Sequence, residues 1–116
     1  MGSFQGLGAW QACQRLAVEV YRITKEFPRD ERYGLTAQIR RAAVSVVANI
    51  AEGAAKRGPK EFRRYLDISL GSLSELTSLL LLARALEFLN EECALAIEPT
   101  RRRAAFLLWR LYRSMG

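Results

Sequence analysis

The sequence contains no histidine, and that absence removes more chemistry than any other feature of the chain. Histidine is the usual general base near neutral pH and the commonest metal ligand. Ser-His-Asp and Cys-His hydrolases, His-bearing zinc sites and helical ribonucleases built on an Arg-x4-His motif are therefore excluded. Only two cysteines occur, Cys13 and Cys93, far apart and without metal-ligand spacing. With no signal-like stretch ahead of the first helical segment, they indicate a reduced, cytoplasmic protein. There is no Gly-rich phosphate loop, no zinc pattern and no Glu-x2-Glu pair of the kind helical nucleotide hydrolases use. No run reaches the roughly 18 uncharged apolar residues of a membrane span, because Glu75 and Arg84 interrupt the richest stretch. The expectations are no metal, no cofactor and no membrane-embedded segment.

What the sequence does have is charge of one sign and apolar periodicity. Eighteen Lys and Arg against twelve Asp and Glu give a net charge of +6 over 116 residues, and the isoelectric point near 9.9 makes a polyanion the first partner to consider. The length and the 50% hydrophobic content fit one globular domain spanning residues 1–116. Met1, Gly2 and Ser3 read as a frayed or appended end that carries no argument.

Ala9, Cys13, Leu16, Val20, Ile23 and Phe27 follow a 4,3,4,3,4 spacing, the stripe of one helix face, and Pro28 stops it. Leu35, Ile39, Ala42, Val46, Asn49 and Gly53 repeat the pattern, with Thr36 a candidate N-cap and a second stripe at Ala43, Val47, Ile50 and Ala54. Gly58-Pro59 opens a third segment carrying Phe62, Leu66, Ser69, Leu73, Leu76, Leu80 and Ala83. Asn90 caps a fourth, with Ala104, Leu108, Leu111 and Met115 on one face and Pro99 in its path. The spacing predicts helices over about 8–27, 36–56, 59–89 and 91–114, the last with a break or kink near 97–100, where proline costs about 3 kcal/mol. The fold class is all-α: an up-down-up-down four-helix bundle with left-handed twist. Apolar surface on the second and third helices exceeds what one bundle uses, so assembly as a homo-oligomer is expected.

Several ordered blocks carry a resemblance over about residues 4–90. They run from Leu7 through Trp10-Gln11 and Phe27-Pro28 to the segment Glu31 through Ala42. The strongest are Ser45-Val46-Val47-Ala48-Asn49-Ile50-Ala51-Glu52-Gly53 and Gly71-Ser72-Leu73-Ser74-Glu75-Leu76. In these the chain resembles the four-helix-bundle proteins encoded in intervening sequences of bacterial 23S ribosomal RNA genes, once labelled S23 ribosomal proteins. More distantly it is similar to the accessory variability protein of diversity-generating retroelements, a basic pentamer that works with a reverse transcriptase and nucleic acid. The resemblance implies a homopentamer of four-helix bundles and supplies no catalytic residues. The fourth segment departs from the family pattern at Pro99 and Arg101-Arg102-Arg103.

Two kinds of candidate site follow from the residues. Gln38, Arg41, Ser45, Asn49 and Glu52 form a polar stripe on the second helix, and Ser72 and Glu75 lie one turn apart on the third, where a bundle brings Glu75 toward Arg41 or Asn49. This set reads either as a hydrogen-bond network fixing helix register, which the pairing of buried polar groups favours, or as a polar cavity for a ligand or carboxylate chemistry. Gly71 beside Ser72, Ser74 and Ser78 suggests a close backbone approach. The second kind is basic. Lys56, Arg57, Lys60, Arg63 and Arg64 surround the turn into the third helix, and Arg101, Arg102, Arg103, Arg110 and Arg113 populate a stretch with no acidic residue from Thr100 to Gly116. Cations at a helix N-terminus oppose its dipole and, with the free amides there, suit phosphate. Arg103, Arg110 and Arg113 flank Phe106, which suits phosphate contact with limited stacking, while Glu87, Glu91, Glu92 and Glu98 are alternative partners. Trp10, Tyr21, Tyr65, Trp109 and Tyr112 show no interleaved basic-aromatic motif and are expected in the core or at interfaces.

The sequence therefore points to a non-enzymatic oligomeric scaffold that binds nucleic acid, either RNA or DNA and best a structured RNA or ribonucleoprotein, through repeated basic patches. The alternative is a scaffold recruiting an acidic protein such as a polymerase or reverse transcriptase. An enzyme using Glu52 or Glu75 is the third reading and requires a perturbed carboxylate facing an open cavity.

Overall fold

The apolar stripes become the inner faces of four helices. A computed structural model describes residues 4–116, and the Met1–Ser3 end lies outside them. The helices are α1 (Gly8–Thr24), α2 (Leu35–Ala54), α3 (Pro59–Ala85) and α4 (Glu91–Ser114), with short 3-10 turns at Phe4–Gly6 and Arg29–Glu31 and no strand among the described residues. α1 lies against α2 and α4, α3 against α2 and α4, and the α2–α3 contact is the most extensive. Contacting pairs run in opposite directions along neighbouring helices. Val46 meets Ser69 and Ser45 meets Ser72 between α2 and α3, while Arg63 meets Tyr112 and Arg84 meets Glu91 between α3 and α4. The topology is up-down-up-down, the form that short connections impose on an amphipathic four-helix chain. Leu16, Val20, Ile39, Val46, Ile50, Leu66, Leu76 and Leu108 form the fully buried centre.

Helix ends depart from expectation for reasons visible in the turns. α1 stops at Thr24 and α3 at Ala85, yet Phe27 and Leu89 are still buried. The apolar periodicity overruns because these side chains enter the core from the turns; Phe27 and Phe88 meet across that end with centroids 6.0 Å apart. α3 ends in a Schellman turn: Phe88 N–H donates to Ala83 C=O at 2.9 Å and Glu87 N–H to Arg84 C=O at 3.0 Å, with Glu87 at φ 64°. Thr36 is not the N-cap of α2. It sits inside the first turn, buried, with its Oγ1 unpaired, and the Glu31 carboxylate instead accepts from Leu35 N–H at 3.0 Å. Asn90 does cap α4, its Oδ1 accepting from Cys93 N–H at 2.8 Å.

Of the break or kink expected near 97–100, the break is absent: α4 runs unbroken through Pro99. Pro99 removes the i+4 donor of the Leu95 carbonyl, and both residues are exposed, while Ile97, Ala104 and Leu108 hold the inner face.

The close backbone approach expected at Gly71 lies elsewhere in the chain. A Cβ built on Gly71 meets nothing within 4 Å, whereas one on Gly53 would lie 2.6 Å from Tyr65 Cβ and 3.0 Å from Phe62 Cδ1. α2 and α3 therefore converge at Gly53, next to the turn that Gly58 (φ 86°) and Pro59 make. By length and composition α3 passes for a membrane-crossing helix, despite Glu75. Its Leu66, Ser69, Leu73, Leu76, Leu80 and Ala83 are buried in the bundle.

Candidate nucleic-acid interface

The antiparallel order brings the last turn of α4 beside the first turns of α3. The Arg63 guanidinium lies 4.5 Å from the Tyr112 ring centroid, and a Cβ on Gly116 would sit 3.0 Å from Arg63 Cζ. Lys60, Arg63 and Arg64 thus share one end of the bundle with Arg110 and Arg113, although some fifty residues separate them in sequence. Lys56 and Arg57, from the turn after α2, belong to the same end, and Lys56 Nζ approaches the Tyr65 ring at 5.4 Å. Arg57, Lys60, Arg63, Arg64, Arg110 and Arg113 are exposed. Between Gly53 and Leu66 the only acidic residue is Glu61. It binds Arg64 at 3.2 Å, a solvent-exposed pair that holds the guanidinium more firmly protonated by hydrogen bond and charge. Exposed pairs of this kind contribute little stability.

The Arg101–Arg103 run divides. Arg101 donates to both oxygens of Glu98, one at 2.9 Å, and this hydrogen bond lowers the Glu98 carboxyl below its ordinary range. Arg101 is therefore occupied. Arg102 is exposed, and Arg103 faces Arg15 across a groove of about 390 Å³ between α1 and α4, lined also by Gly8, Gln11, Ala12, Pro99 and Thr100. Sequence reasoning missed Arg15, whose basic neighbour in α1, Arg22, is two turns on and which faces Arg103 only when α4 packs beside it. Of the acidic cluster, Glu98 pairs with Arg101 and also feels the charge of Arg102, and Glu91 pairs with Arg84 at 3.6 Å.

The aromatic residues do interleave with the basic ones, contrary to the sequence reading. Trp109 stacks on Tyr112 with centroids 5.6 Å apart and planes 21° from parallel; Arg113 lies 5.7 Å from the Trp109 centroid and Arg110 5.5 Å from that of Phe106. Arg64 sits over Tyr65 at 4.6 Å. Phe106 is 57% and Trp109 47% exposed. The signal was available: with Ile97, Ala104 and Leu108 inward, residues 102, 106, 109 and 113 share the opposite face at spacings 4,3,4. Trp10, half-buried against Phe4, does pack inward, and Tyr21 is exposed beneath the Arg40 guanidinium at 4.7 Å.

The seven-residue polar network contracts to three members. Ser45 Oγ and Ser72 Oγ are 2.7 Å apart, and Asn49 Nδ2 donates to Ser45 C=O at 2.8 Å and to Ser45 Oγ at 3.1 Å. Ser69, read as part of the apolar stripe, is fully buried and donates to Val46 C=O at 2.6 Å. Gln38, Arg41, Glu52 and Glu75 are exposed, and no contact joins them to this set. Glu52 and Glu75 line none of the grooves described here. An apolar groove of about 550 Å³ lies between α1 and α2, floored by Ala17, Val18, Val44, Val47 and Ala48 and rimmed by Gln14, Tyr21, Arg22 and Lys25. Beside it Arg40 Nε donates to Thr24 Oγ1 at 2.8 Å, clasping the two helices.

Comparison with known proteins agrees with this architecture. No curated protein matches the chain. A crystal structure of a protein of unknown function from the S23 ribosomal protein family of Bacteroides thetaiotaomicron VPI-5482 superimposes with a TM-score of 0.75 at 22% identity, covering 86% of this chain and 94% of that one. The family described as 23S rRNA-intervening sequence protein matches residues 5–108. That span reaches past residue 90, so the match extends into the fourth helix. Across nearly its whole length, then, the chain belongs to the 23S rRNA-intervening sequence protein family.

Proposed function

We propose that the protein is a non-enzymatic, cytoplasmic scaffold that self-associates and binds nucleic acid, a structured RNA or ribonucleoprotein, through the basic end of the bundle. The observation that carries this reading is the convergence of the α3 N-terminus with the α4 C-terminus at the Arg63–Tyr112 contact. It places Lys56, Arg57, Lys60, Arg63, Arg64, Arg110 and Arg113 together, with Glu61 among them and Glu52 and Asp67 each about one turn away. Most of these cations have no carboxylate partner, and their mutual repulsion is relieved by a polyanion, whose counterions are released on binding. The absence of histidine and the exposure of Glu52 and Glu75 argue for binding over catalysis. Assembly, a homopentamer in this reading, repeats the basic end and raises avidity without requiring any specific base contact.

The test is RNA binding by fluorescence anisotropy for the natural protein and an Arg63→Glu/Arg113→Glu variant. Affinity should fall roughly a hundredfold or more between low and moderate salt, and the double charge reversal should weaken it further while leaving the helical content intact. Salt-independent binding, or an undiminished variant, overturns the reading. Loss of an RNA-containing complex on nuclease treatment separates direct RNA binding from recruitment of an acidic protein through the same surface.

A further inference from the structure

The outer face of α4 is unusual for a surface helix. Its core side is satisfied by Ile97, Ala104 and Leu108, yet the opposite face exposes Phe106 and Trp109 between Arg102, Arg110 and Arg113. A purely electrostatic surface has no use for large exposed rings, and a face this basic, without an acidic residue from Pro99 to Gly116, repels the same face of a second copy. The rings are also held. Tyr112 stacks on Trp109 at 5.6 Å, and Arg63 of α3 lies over Tyr112 at 4.5 Å, so the two helices together fix the indole plane.

We infer that this face is a stacking platform for unpaired bases, with Phe106 and Trp109 as the platform and Arg102, Arg110 and Arg113 taking the flanking phosphates. The inference rests on the nucleic-acid reading of the basic end and narrows it to a single-stranded segment: a loop, a bulge or a free strand. Phe106 and Trp109 are three residues apart, a rise of about 4.5 Å along the helix. The two rings follow one another along this face, so successive bases of an extended strand each meet one. Arg110 and Arg113, each within 6 Å of its ring centroid, stand beside the place where a base would lie and within reach of its phosphate. Stacking on an aromatic ring outweighs an exposed cation–π contact, so a base displaces the guanidinium toward the backbone. Bases inside a duplex present no free face, and the rings offer them nothing.

The chain's other tryptophan, Trp10, packs against Phe4, so Trp10→Phe leaves Trp109 as the sole indole reporter. This variant would be titrated with a labelled RNA strand of roughly 15 nucleotides, the matching DNA strand and the corresponding duplex. A single strand should quench Trp109 along its binding curve, and quenching by RNA, DNA or both supports stacking while identifying the strand. Phe106→Ala and Trp109→Ala should each weaken single-strand binding about tenfold or more, with duplex affinity unmoved and Trp109→Tyr restoring binding. Both residues are exposed, so truncation leaves the core intact. Tight single-strand binding without quenching, or ring truncations without effect, overturns the inference while leaving the phosphate reading standing. Failure of every probe to bind at low salt removes both.

Discussion

At the residue scale, side-chain space explains most of what the sequence left ambiguous. Gly53, in the last turn of α2, and Gly71, in the interior of α3, are both helical glycines, but only Gly53 sits where α2 meets Tyr65 and Phe62. Gly53→Ala should therefore destabilise by about 1–3 kcal/mol through overpacking. Gly71→Ala should stabilise by roughly 0.5–1 kcal/mol through helix propensity, both measured by urea unfolding. Equal effects would show that the helices do not converge at Gly53. Cys13 is a second case. Burial pushes its thiol from 9.0 up to about 12, which makes it inert beside the half-buried Cys93. The unfolded chain loses that proton from about pH 9 and the folded one does not, so stability is full below pH 9 and falls as pH rises toward 12. Between about pH 8 and 10.5 the natural protein should lose about 2 kcal/mol more than Cys13→Ala, at about 1.4 kcal/mol per pH unit. A parallel pH dependence in the two proteins would contradict the burial of that thiol. The basic residues themselves were plain in the sequence; Arg15 and the Arg63–Tyr112 contact were not, because each pairs groups from different helices.

At the scale of elements, the heptad stripes located all four helices, since a 3.5-residue repeat is a property of one segment and survives into the packed bundle. Their ends were less legible. Phe27 and Leu89 keep the apolar rhythm while the chain is already turning, and the Schellman turn at Glu87 is set by backbone geometry that periodicity does not encode. Pro99 misled for an energetic reason. The local cost of about 3 kcal/mol is opposed by tertiary packing that the sequence alone does not display. Ile97 and Ala104 on either side are buried, and Leu95 and Pro99 are exposed. Pro99→Ala should raise stability by about 1–3 kcal/mol in a thermal or urea transition, with α4 unchanged in length. A loss of stability would show that a bend at Pro99 is needed to seat the C-terminal half of α4 against α1.

At the scale of the whole molecule, the bundle separates its surfaces. One end is basic, the outer face of α4 carries exposed rings, and the α1–α2 groove is apolar with Val18 and Val44 exposed. The groove is the face on which we place self-association. Val44→Glu should keep the helical spectrum and reduce the mass in solution toward that of the 13.1 kDa chain; an unchanged mass would move the interface elsewhere. The excess of apolar surface was visible in the doubled stripe of α2, whereas the basic end was not, because it exists only once α3 and α4 run antiparallel. The central claim is that this end engages nucleic acid. Its most direct test is size-exclusion chromatography with light scattering and dual-wavelength absorbance on nucleic-acid-free protein, repeated with total RNA at low and moderate salt. The expected result is an oligomer that co-elutes with RNA at low salt and releases it as salt rises. An oligomer that elutes unchanged with RNA present at low salt would contradict it.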